Sequence, residues 1–204
     1  MKGSQNSLCE DIACMVMGDS VADFGCGIGH LIPYLREGIR YIGIDASEKM
    51  IEKAKEFFPD KQFFLADVRN HEDLSELHGL GFDTTIAVSL LLHLEKLDAF
   101  DLFQVMWYYT RPGGIMVFSM ETNGDSEQRR PDGLLIRNQS PESVVKDVLA
   151  ALHNSDCPPE AVRYSHQKAT TSTIHEIYYM KERAKVSNFD QVARTSIFWA
   201  KKLS

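Results

Sequence analysis

The sequence predicts an α/β fold organised around a doubly wound, mostly parallel sheet. Over the first 120 residues, short apolar runs alternate with segments whose apolar residues recur at helical spacing. The short runs are apolar at consecutive positions, which is typical of strands covered on both faces. Strands that alternate with helices in this way usually pair in parallel. A glycine-rich turn follows the first strand, and no linker long enough to separate a second domain is visible.

The five predicted strands of this part are short and separated by turns or helical segments. They span residues 20–24, 41–45, 62–66, 82–89 and 114–120. Two later runs, TIHEIYYM at 173–180 and VARTSIFWAKK at 192–202, predict two more strands. The expected sheet therefore has seven strands, and its last strands are expected to form an antiparallel pair.

Three helices are predicted in addition to a helix-like run that follows the glycine turn. Segment 46–58 begins next to Ser47, a common N-cap residue, and segment 96–110 ends at an RPGG turn. Segment 140–152 carries Pro141 near its first turn. The apolar stripes on the first two segments are interpreted as core-facing; they comprise Met50, Ile51, Ala54, Phe57, Phe58, Leu97, Phe100, Phe103 and Trp107.

Composition indicates where the chain functions. Apolar residues make up 44% of the 204 residues and charged residues 25%, as in an ordinary globular protein. The longest apolar runs are too short to span a bilayer, and Glu10 and Asp11 interrupt what would be the apolar region of a signal peptide. These features predict a cytoplasmic protein with one domain over residues 1–204, in which residues 1–19 form a short N-terminal cap.

Metal ions and nucleic acids are disfavoured as ligands. The four cysteines form no C-x-x-C pair, and the seven histidines are scattered. The net charge is −7, and basic residues occur only in short groups such as Arg129-Arg130. Because a nucleic-acid-binding face is usually basic, this charge balance argues against DNA or structured RNA.

The glycine turn, VADFGCGIGHLIPYL at residues 21–35, departs from the common phosphate-binding motifs. A dinucleotide fingerprint would place its third glycine where His30 stands, and a P-loop requires a Lys-Ser or Lys-Thr pair that is missing. Asp23 lies two residues before the first glycine, where it would repel a pyrophosphate and attract an ammonium or sulfonium group. The pattern D-x-G-x-G-x-G therefore favours a nucleoside that carries positive charge and no phosphate.

Five motifs in register give the chain a family resemblance. The glycine turn resembles the first motif of class I S-adenosylmethionine-dependent methyltransferases. Later motifs of that family are similar to YIGIDASEKMIEKA, FFLADV, FDTTIAVSLLLHL and RPGGIMVFS, so the resemblance covers residues 20–120. It implies a Rossmann-like sheet, methyltransferase activity and S-adenosylmethionine as the cofactor.

The resemblance also implies a role for each acid. Asp45 would accept hydrogen bonds from both ribose hydroxyls, and Asp67 would accept one from the adenine amino group while the Val68 N–H faces a ring nitrogen. Asp23 would order the methionine end. The full set of implied cofactor-binding residues is Asp23, Gly25, Cys26, Gly27, Gly29, Asp45, Ala46, Asp67, Val68 and Ser89.

Each of the three acids also has a structural alternative to its binding role. Asp45 could cap the helix that follows it, and Asp67 could be a surface turn residue. Asp23 could accept N–H groups of the turn itself. Cys26 is interpreted as a packing residue rather than a nucleophile, and His30 as the beginning of a helix.

The methyl acceptor is expected beyond the carboxyl ends of the fourth and fifth strands. His93 is a candidate base, or it only caps the exit of the fourth strand. Glu121 could bind a cationic acceptor, or it could simply end the fifth strand. A dedicated base is optional, because positioning alone can accelerate an in-line methyl transfer. Residues 122–140 form the predicted acceptor-side loop, a candidate lid that includes Asn123.

A small-molecule acceptor is favoured. No NPPY-like or DPPY-like motif follows the fourth strand and no PC dipeptide is present, which argues against methylation of DNA bases. The Arg129-Arg130 pair could hold a carboxylate or phosphate of the acceptor, or be a solvated surface pair. Two other functions stay open. One is an aminopropyltransferase, which would need paired acids where Ser89 and Leu90 stand; the other is a non-catalytic S-adenosylmethionine-binding module or partner subunit.

Overall fold

The fold alternates strands and helices over most of its length. The computed structural model describes residues 4–70, 72–122, 126–167, 172–178 and 195–203. The helices in these ranges are α1 (Ser4–Met15), α2 (Glu48–Phe57), α3 (Lys96–Tyr109) and α4 (Pro141–Leu152). The strands are β1 (Ser20–Phe24), β2 (Arg40–Asp45), β3 (Gln62–Leu65), β4 (Phe82–Ala87), β5 (Thr110–Glu121), β6 (Ser126–Arg129), β7 (Leu135–Asn138), β8 (Ala161–Gln167), β9 (Ser172–Tyr178) and β10 (Thr195–Lys201).

Eight of these strands form one sheet in the order β3-β2-β1-β4-β5-β10-β8-β9. The first five pair in parallel, and β10 pairs antiparallel with both β5 and β8. This arrangement confirms the predicted doubly wound, mostly parallel α/β fold. The strand order reverses between β1 and β4, which is where open sheets of this kind bind ligands.

The antiparallel part differs in detail from the predicted pair of late strands. β8 was not predicted, and it lies between β10 and β9, so the two late strands do not pair with each other and the sheet has eight strands instead of seven. Within β8, Val162 and Tyr164 are buried while Arg163 between them is half-exposed. Such alternation is typical of a strand covered on one face, and a search for consecutive apolar residues overlooks it.

Apolar side chains cover both faces of the sheet. α3 and α4 pack on one face against Phe24, Phe118 and Phe198. The rings of Phe118 and Phe198 stack with centroids 5.1 Å apart and planes 7° apart. α1 and α2 cover the other face through Ile12 and Ile51. Because both faces of the parallel strands are filled, the strand ends are where a ligand can reach this part of the sheet.

The apolar stripes of α2 and α3 are only partly buried. Ile51, Ala54, Phe103 and Trp107 are buried, and Phe58 and Phe100 pack at the edge of the core. Met50, Phe57 and Leu97 are 43%, 55% and 77% exposed, so the prediction that they face the core is wrong. α2 covers the sheet with a narrow stripe of residues three apart, and Leu97 precedes the first buried residue of α3.

The segment after the glycine turn is not the helix that the sequence suggests. Residues 25–39 join β1 to β2 and contain one 3-10 turn, Ile32–Tyr34, so His30 does not begin an α-helix. Pro33 lacks an N–H donor, and Gly38 has a left-handed φ of +82°, which ends a helical run. The helix N-terminus that phosphate sites of this fold use is therefore missing from this described segment.

The predicted acceptor-side loop, residues 122–140, carries a hairpin formed by β6 and β7. Asn123, expected near the acceptor, lies outside the described residues. The hairpin contacts the exit of β4, because the Nδ1 atom of His93 lies 3.0 Å from the carbonyl oxygen of Leu135. A lid at this position would thus be a two-stranded element and not an irregular loop.

Candidate functional site

A cavity of about 690 Å³, here called the central cavity, opens at the carboxyl ends of β1 and β4. Small-molecule sites occupy about 300–1,000 Å³, so its size suits a ligand of that class. Of the predicted cofactor-binding residues, those in its lining are Asp23, Gly25, Cys26, Gly27, Gly29 and Ser89. The others, Asp45, Ala46, Asp67 and Val68, lie outside the lining.

The glycine turn forms a wall of the central cavity because its backbone is left-handed at three positions. Gly25, Gly27 and Gly29 have φ of +72°, +55° and +84°, which favour glycine. The N–H groups of Gly25 and Cys26 both donate to the carbonyl of Ile44 in β2, at 2.7 and 3.0 Å. A Cβ at Gly27 would meet no atom within 4 Å, so a ligand can approach the backbone closely there.

Gly29→Ala should destabilise the protein more than Gly38→Ala. Both glycines have a left-handed φ, +84° and +82°, so alanine at either position costs about 1–2 kcal/mol of backbone strain. Only at Gly29 would the new Cβ lie 2.8 Å from Ile32 Cδ1 and 3.0 Å from the ring of Phe58, which should add about 1–3 kcal/mol. Urea denaturation of both variants measures the difference, and equal losses would contradict the tight contact.

Asp23 is a buried acid in the lining of the central cavity, only 2% exposed. The hydroxyl of Tyr41 donates to its Oδ2 at 2.7 Å, whereas its Oδ1 has no hydrogen-bond partner among the described residues. Burial raises the pKa of Asp23 to about 7, although the hydrogen bond from Tyr41 opposes the rise. The alternative that Asp23 caps the turn is not observed, because the N–H groups of Gly25 and Cys26 donate to Ile44. A buried carboxylate oxygen without a partner favours a cation or an N–H donor.

Asp45 connects the glycine turn to the start of α2. Its Oδ2 accepts from the N–H of Gly27 and its Oδ1 from the N–H of Ser47, each at 2.9 Å. Each carboxylate oxygen retains a second lone pair, so ribose hydroxyls can be bound in addition. Ala46 is exposed beside it. Because the N-cap of α2 is Ser47, Asp45 holds the turn before the helix and does not cap it, and its two bonds are compatible with the binding role.

Asp67 is held by a neighbouring cation. The Nε and Nη2 atoms of Arg69 donate to its carboxylate, the shortest bond being 2.6 Å. These bonds lower the pKa of Asp67. Val68, the next residue, is buried in the core. The role of Asp67 in binding adenine stays a prediction, and it requires Arg69 to share the carboxylate.

Ser89 carries backbone strain at the exit of β4. It has a φ of +54° and is the one non-glycine residue of the described ranges in the left-handed region. Its N–H donates to the Oγ of Ser119 at 2.9 Å, which fixes the exit of β4 against β5. Strain of this kind is concentrated at binding sites, where the surrounding structure holds the residue in place.

The predicted acceptor-side residues do not line the central cavity. His93 is exposed and its ring bonds to the carbonyl of Leu135. Glu121 ends β5, and its carbonyl accepts from the N–H of Gln139 at 3.4 Å. Both residues therefore connect the hairpin to the sheet. Their roles as base and acceptor ligand stay predictions.

The Arg129-Arg130 pair already has acidic partners. Arg129 forms an ion pair with Glu95 at the start of α3. The Nη2 atom of Arg130 lies 3.0 Å from Asp132 within the hairpin turn. These exposed pairs match the surface alternative considered for the two arginines.

Tyr41 and Cys9 belong to the site although the sequence did not indicate them. In the parallel register Tyr41 aligns with Val21, so Asp23 lies two residues further along on the same face of the sheet. The sequence signal that could have identified Tyr41 is a tyrosine in β2, the strand that pairs with the one that holds Asp23. Cys9 of α1 lines the central cavity, and burial raises its pKa to about 11.

Over the residues that the structure describes, no group of three or more His, Cys, Asp or Glu side chains lies close enough to hold a metal ion. Within the same ranges, no helix is both long and apolar enough to cross a membrane.

Sequence relatives share the first half of the chain. Residues 21–114 match a family model described as a methyltransferase domain. Trans-aconitate 2-methyltransferase of Escherichia coli strain K12 is 34% identical over 106 residues, which cover 50% of this chain and 39% of that protein. The chain therefore matches less than half the length of this relative.

Solved structures share the fold over nearly the whole chain. The CcbJ methyltransferase from Streptomyces caelestis has a TM-score of 0.70 at 14% identity, covering 99% of this chain and 90% of that one. The 1,6-didemethyltoxoflavin-N1-methyltransferase of Burkholderia thailandensis, solved with 1,6-didemethyltoxoflavin and S-adenosylhomocysteine, has a TM-score of 0.66 at 16% identity, covering 100% and 80%. The domain match supports the resemblance over residues 21–114, and the sheet order and the solved structures show that the chain has the class I S-adenosylmethionine-dependent methyltransferase fold.

Proposed function

We propose that this protein is a cytoplasmic enzyme that transfers a methyl group from S-adenosylmethionine to a small-molecule acceptor. The observation that carries the proposal is the buried carboxylate of Asp23, which lines the central cavity and has no partner for Oδ1 among the described residues. An ammonium group complements such an oxygen, and S-adenosylmethionine carries one at its methionine end. The cytoplasmic location is supported by four cysteines that are all unpaired thiols.

The remaining residues fit a nucleoside. The open backbone at Gly27 admits close approach, and Asp45 offers the second lone pairs of an already oriented carboxylate to the ribose. The adenine is assigned to Asp67 and the N–H of Val68, which follow β3 at the same edge of the sheet. These assignments rest on the family motifs and on the position of the residues after β2 and β3.

The residues of this chain position the cofactor and exclude water from the central cavity. When bound, S-adenosylmethionine supplies an electrophilic methyl group on a positively charged sulfur. Asp23 orients the methionine end, while Phe58 and the left-handed Ser89 shape the walls of the central cavity. Because His93 and Glu121 lie outside the lining, the arrangement favours catalysis by positioning over proton abstraction from the acceptor.

A small molecule is the proposed acceptor class. By their names, the Escherichia coli relative acts on trans-aconitate and the Burkholderia thailandensis neighbour on 1,6-didemethyltoxoflavin. The net charge of −7 disfavours a nucleic acid. These observations support a small acceptor without identifying it.

Two measurements test the proposal. Calorimetry with S-adenosylmethionine and S-adenosylhomocysteine should show binding, and incubation with methyl-labelled S-adenosylmethionine and a small-molecule cell extract should give labelled products that mass spectrometry identifies. Absence of cofactor binding would overturn the proposal. Binding without any labelled product would favour the non-catalytic module instead.

A further inference from the structure

Arg137 in β7 is a buried cation with unsatisfied donors among the residues that the structure describes. Its side chain belongs to a residue that is 5% exposed, and neither Nε nor Nη1 has a hydrogen-bond partner among the described residues. Burial lowers the pKa of Arg137, yet a guanidinium does not lose its proton in proteins. A buried charge without a partner is strongly unfavourable. The chain thus retains a charged donor group that no described interaction explains.

The acids around Arg137 do not neutralise it directly. Asp147 is held by Lys96, whose Nζ lies 3.2 Å away, and by the Nε2 of Gln139 at 2.8 Å. Glu127 lies opposite Arg137 in the hairpin register, but it is exposed, and the described contacts include no ion pair between the two. The other acids that act on the pKa of Arg137 contact other arginines: Glu95 pairs with Arg129, and Asp98 with Arg69.

Arg137 lines a cavity of about 440 Å³, here called the hairpin cavity, between the hairpin and the first turns of α3 and α4. Lys96 and Lys146 add positive charge to its lining, against the carboxylates of Glu127 and Asp147. The first turn of α4, at the positive end of the helix dipole, contributes Ser143 to the same lining. The cavity therefore combines a buried guanidinium with further groups that suit an anion.

The hairpin cavity lies on the acceptor side of the fold. The hairpin follows β5, and the bond between His93 and Leu135 attaches it to the exit of β4, four residues beyond Ser89. Ser89 lines the central cavity. A molecule that enters from this side of the sheet thus meets the hairpin.

We propose that Arg137 and the hairpin cavity form a binding site for a carboxylate or phosphate group, and that this group is carried by the methyl acceptor. A guanidinium is the side chain best suited to these oxyanions, because its planar donors match their geometry. The assignment to the acceptor rests on the proposed function, whereas the anion site itself does not.

Calorimetry with citrate and with inorganic phosphate tests the anion site. Both should bind the wild-type chain, and Arg137→Met should weaken binding by about tenfold or more, the loss expected for a charge-assisted hydrogen bond. Tighter binding of citrate would identify a carboxylate site, and tighter binding of phosphate a phosphate site. Arg36→Met is the control, because it removes the same charge from an exposed arginine paired with Asp19. Failure of both probes to bind the wild type would overturn the site.

Thermal unfolding separates a binding residue from a structural one. Because the unpaired charge is unfavourable, Arg137→Met should leave the melting temperature unchanged or raise it by about 2 °C or more. A clear fall, absent from Arg36→Met, would show that the guanidinium has an internal partner and would contradict the inference. Glu127→Gln identifies that partner if it lowers the melting temperature in the same way.

The labelled-extract assay tests the assignment to the acceptor. Anion-exchange chromatography should retain the labelled products, and Arg137→Met should reduce them by about tenfold or more while S-adenosylmethionine binding is unchanged. Equal labelling by wild type and variant would refute the acceptor assignment. Failure of the wild type to bind S-adenosylmethionine would refute the proposed function, and the citrate and phosphate results would still decide the anion site.

Discussion

Replacing Asp45 with alanine is expected to weaken the binding of S-adenosylmethionine by about 100-fold or more. The carboxylate accepts the N–H groups of Gly27 and Ser47, so its loss releases the glycine turn and also removes the proposed acceptor of the ribose hydroxyls. A hydrogen bond to a charged group contributes about 1.5–3 kcal/mol, and two such bonds correspond to at least about 100-fold in affinity.

Calorimetry at constant pH measures this loss. Asp60→Ala is a suitable control, because Asp60 is an exposed acid near the end of α2 that pairs with Lys61 at 3.3 Å. The control should bind as tightly as wild type, and circular dichroism should show the same helix content for all three proteins. A change of less than about threefold in Asp45→Ala would contradict the proposed ribose contact.

Asp23→Asn is expected to remove a pH dependence of both binding and stability. A pKa of about 7 means that Asp23 binds a cation weakly at about pH 6 and strongly at about pH 8, with about a tenfold difference in affinity. The asparagine variant should bind S-adenosylmethionine weakly at both values, because it carries no charge to attract the ammonium group. Calorimetry at the two pH values measures the difference, and a pH-independent wild type would contradict the role of Asp23.

As the pH rises, the contribution of Asp23 to stability falls, whereas its contribution to cofactor binding increases. In the unfolded chain an aspartate loses its proton near pH 3.9, whereas in the folded protein Asp23 keeps it up to about pH 7. Its contribution to the free energy of unfolding is therefore fully present below about pH 4 and is lost as the pH rises through 7, by about 4 kcal/mol in all. Urea denaturation between these limits should show the decline in wild type and not in Asp23→Asn.

Tyr41→Phe is the matched variant for this experiment. The hydroxyl of Tyr41 donates to Asp23 and lowers its pKa, so removing the hydroxyl should move the transition in binding to a higher pH. A shift to lower pH, or none, would show that the hydrogen bond does not stabilise the ionised carboxylate.

The parallel strands could be predicted from the sequence because the pattern that marks a buried strand lies within the strand's own residues. β1, β2, β4 and β5 are each buried over at least four consecutive positions, and the predicted bounds of β1 agree with the structure. The spacing of Asp23, Gly25, Gly27 and Gly29 was likewise enough to bring these four residues to one cavity. Where one face of a strand is open, as in β8, the apolar signal is halved and the strand was missed.

Contacts that depend on register between distant segments could not be predicted. The bond from Tyr41 to Asp23 requires that β1 and β2 pair as they do, and the burial of Arg137 depends on how the hairpin packs near α3 and α4. The helix predicted to begin at His30 does not form, because Pro33 and Gly38 leave room for only one 3-10 turn. These features arise from tertiary packing, on which local patterns carry no information.

The place of β10 in the sheet determines the order in which the protein can fold during its synthesis. β8 and β9 come earlier in the chain, yet in the described sheet they reach the parallel strands only through β10. The parallel strands can pair as they leave the ribosome, whereas β8 and β9, which pair with each other, can join them only after residues 195–201 have emerged. The hydrogen bond between Thr122 and Ser196 then joins positions 74 residues apart, a closure that slows folding. Until that closure occurs, the edge of β5 is unpaired, and this edge is the part of a nascent chain that a chaperone would need to protect.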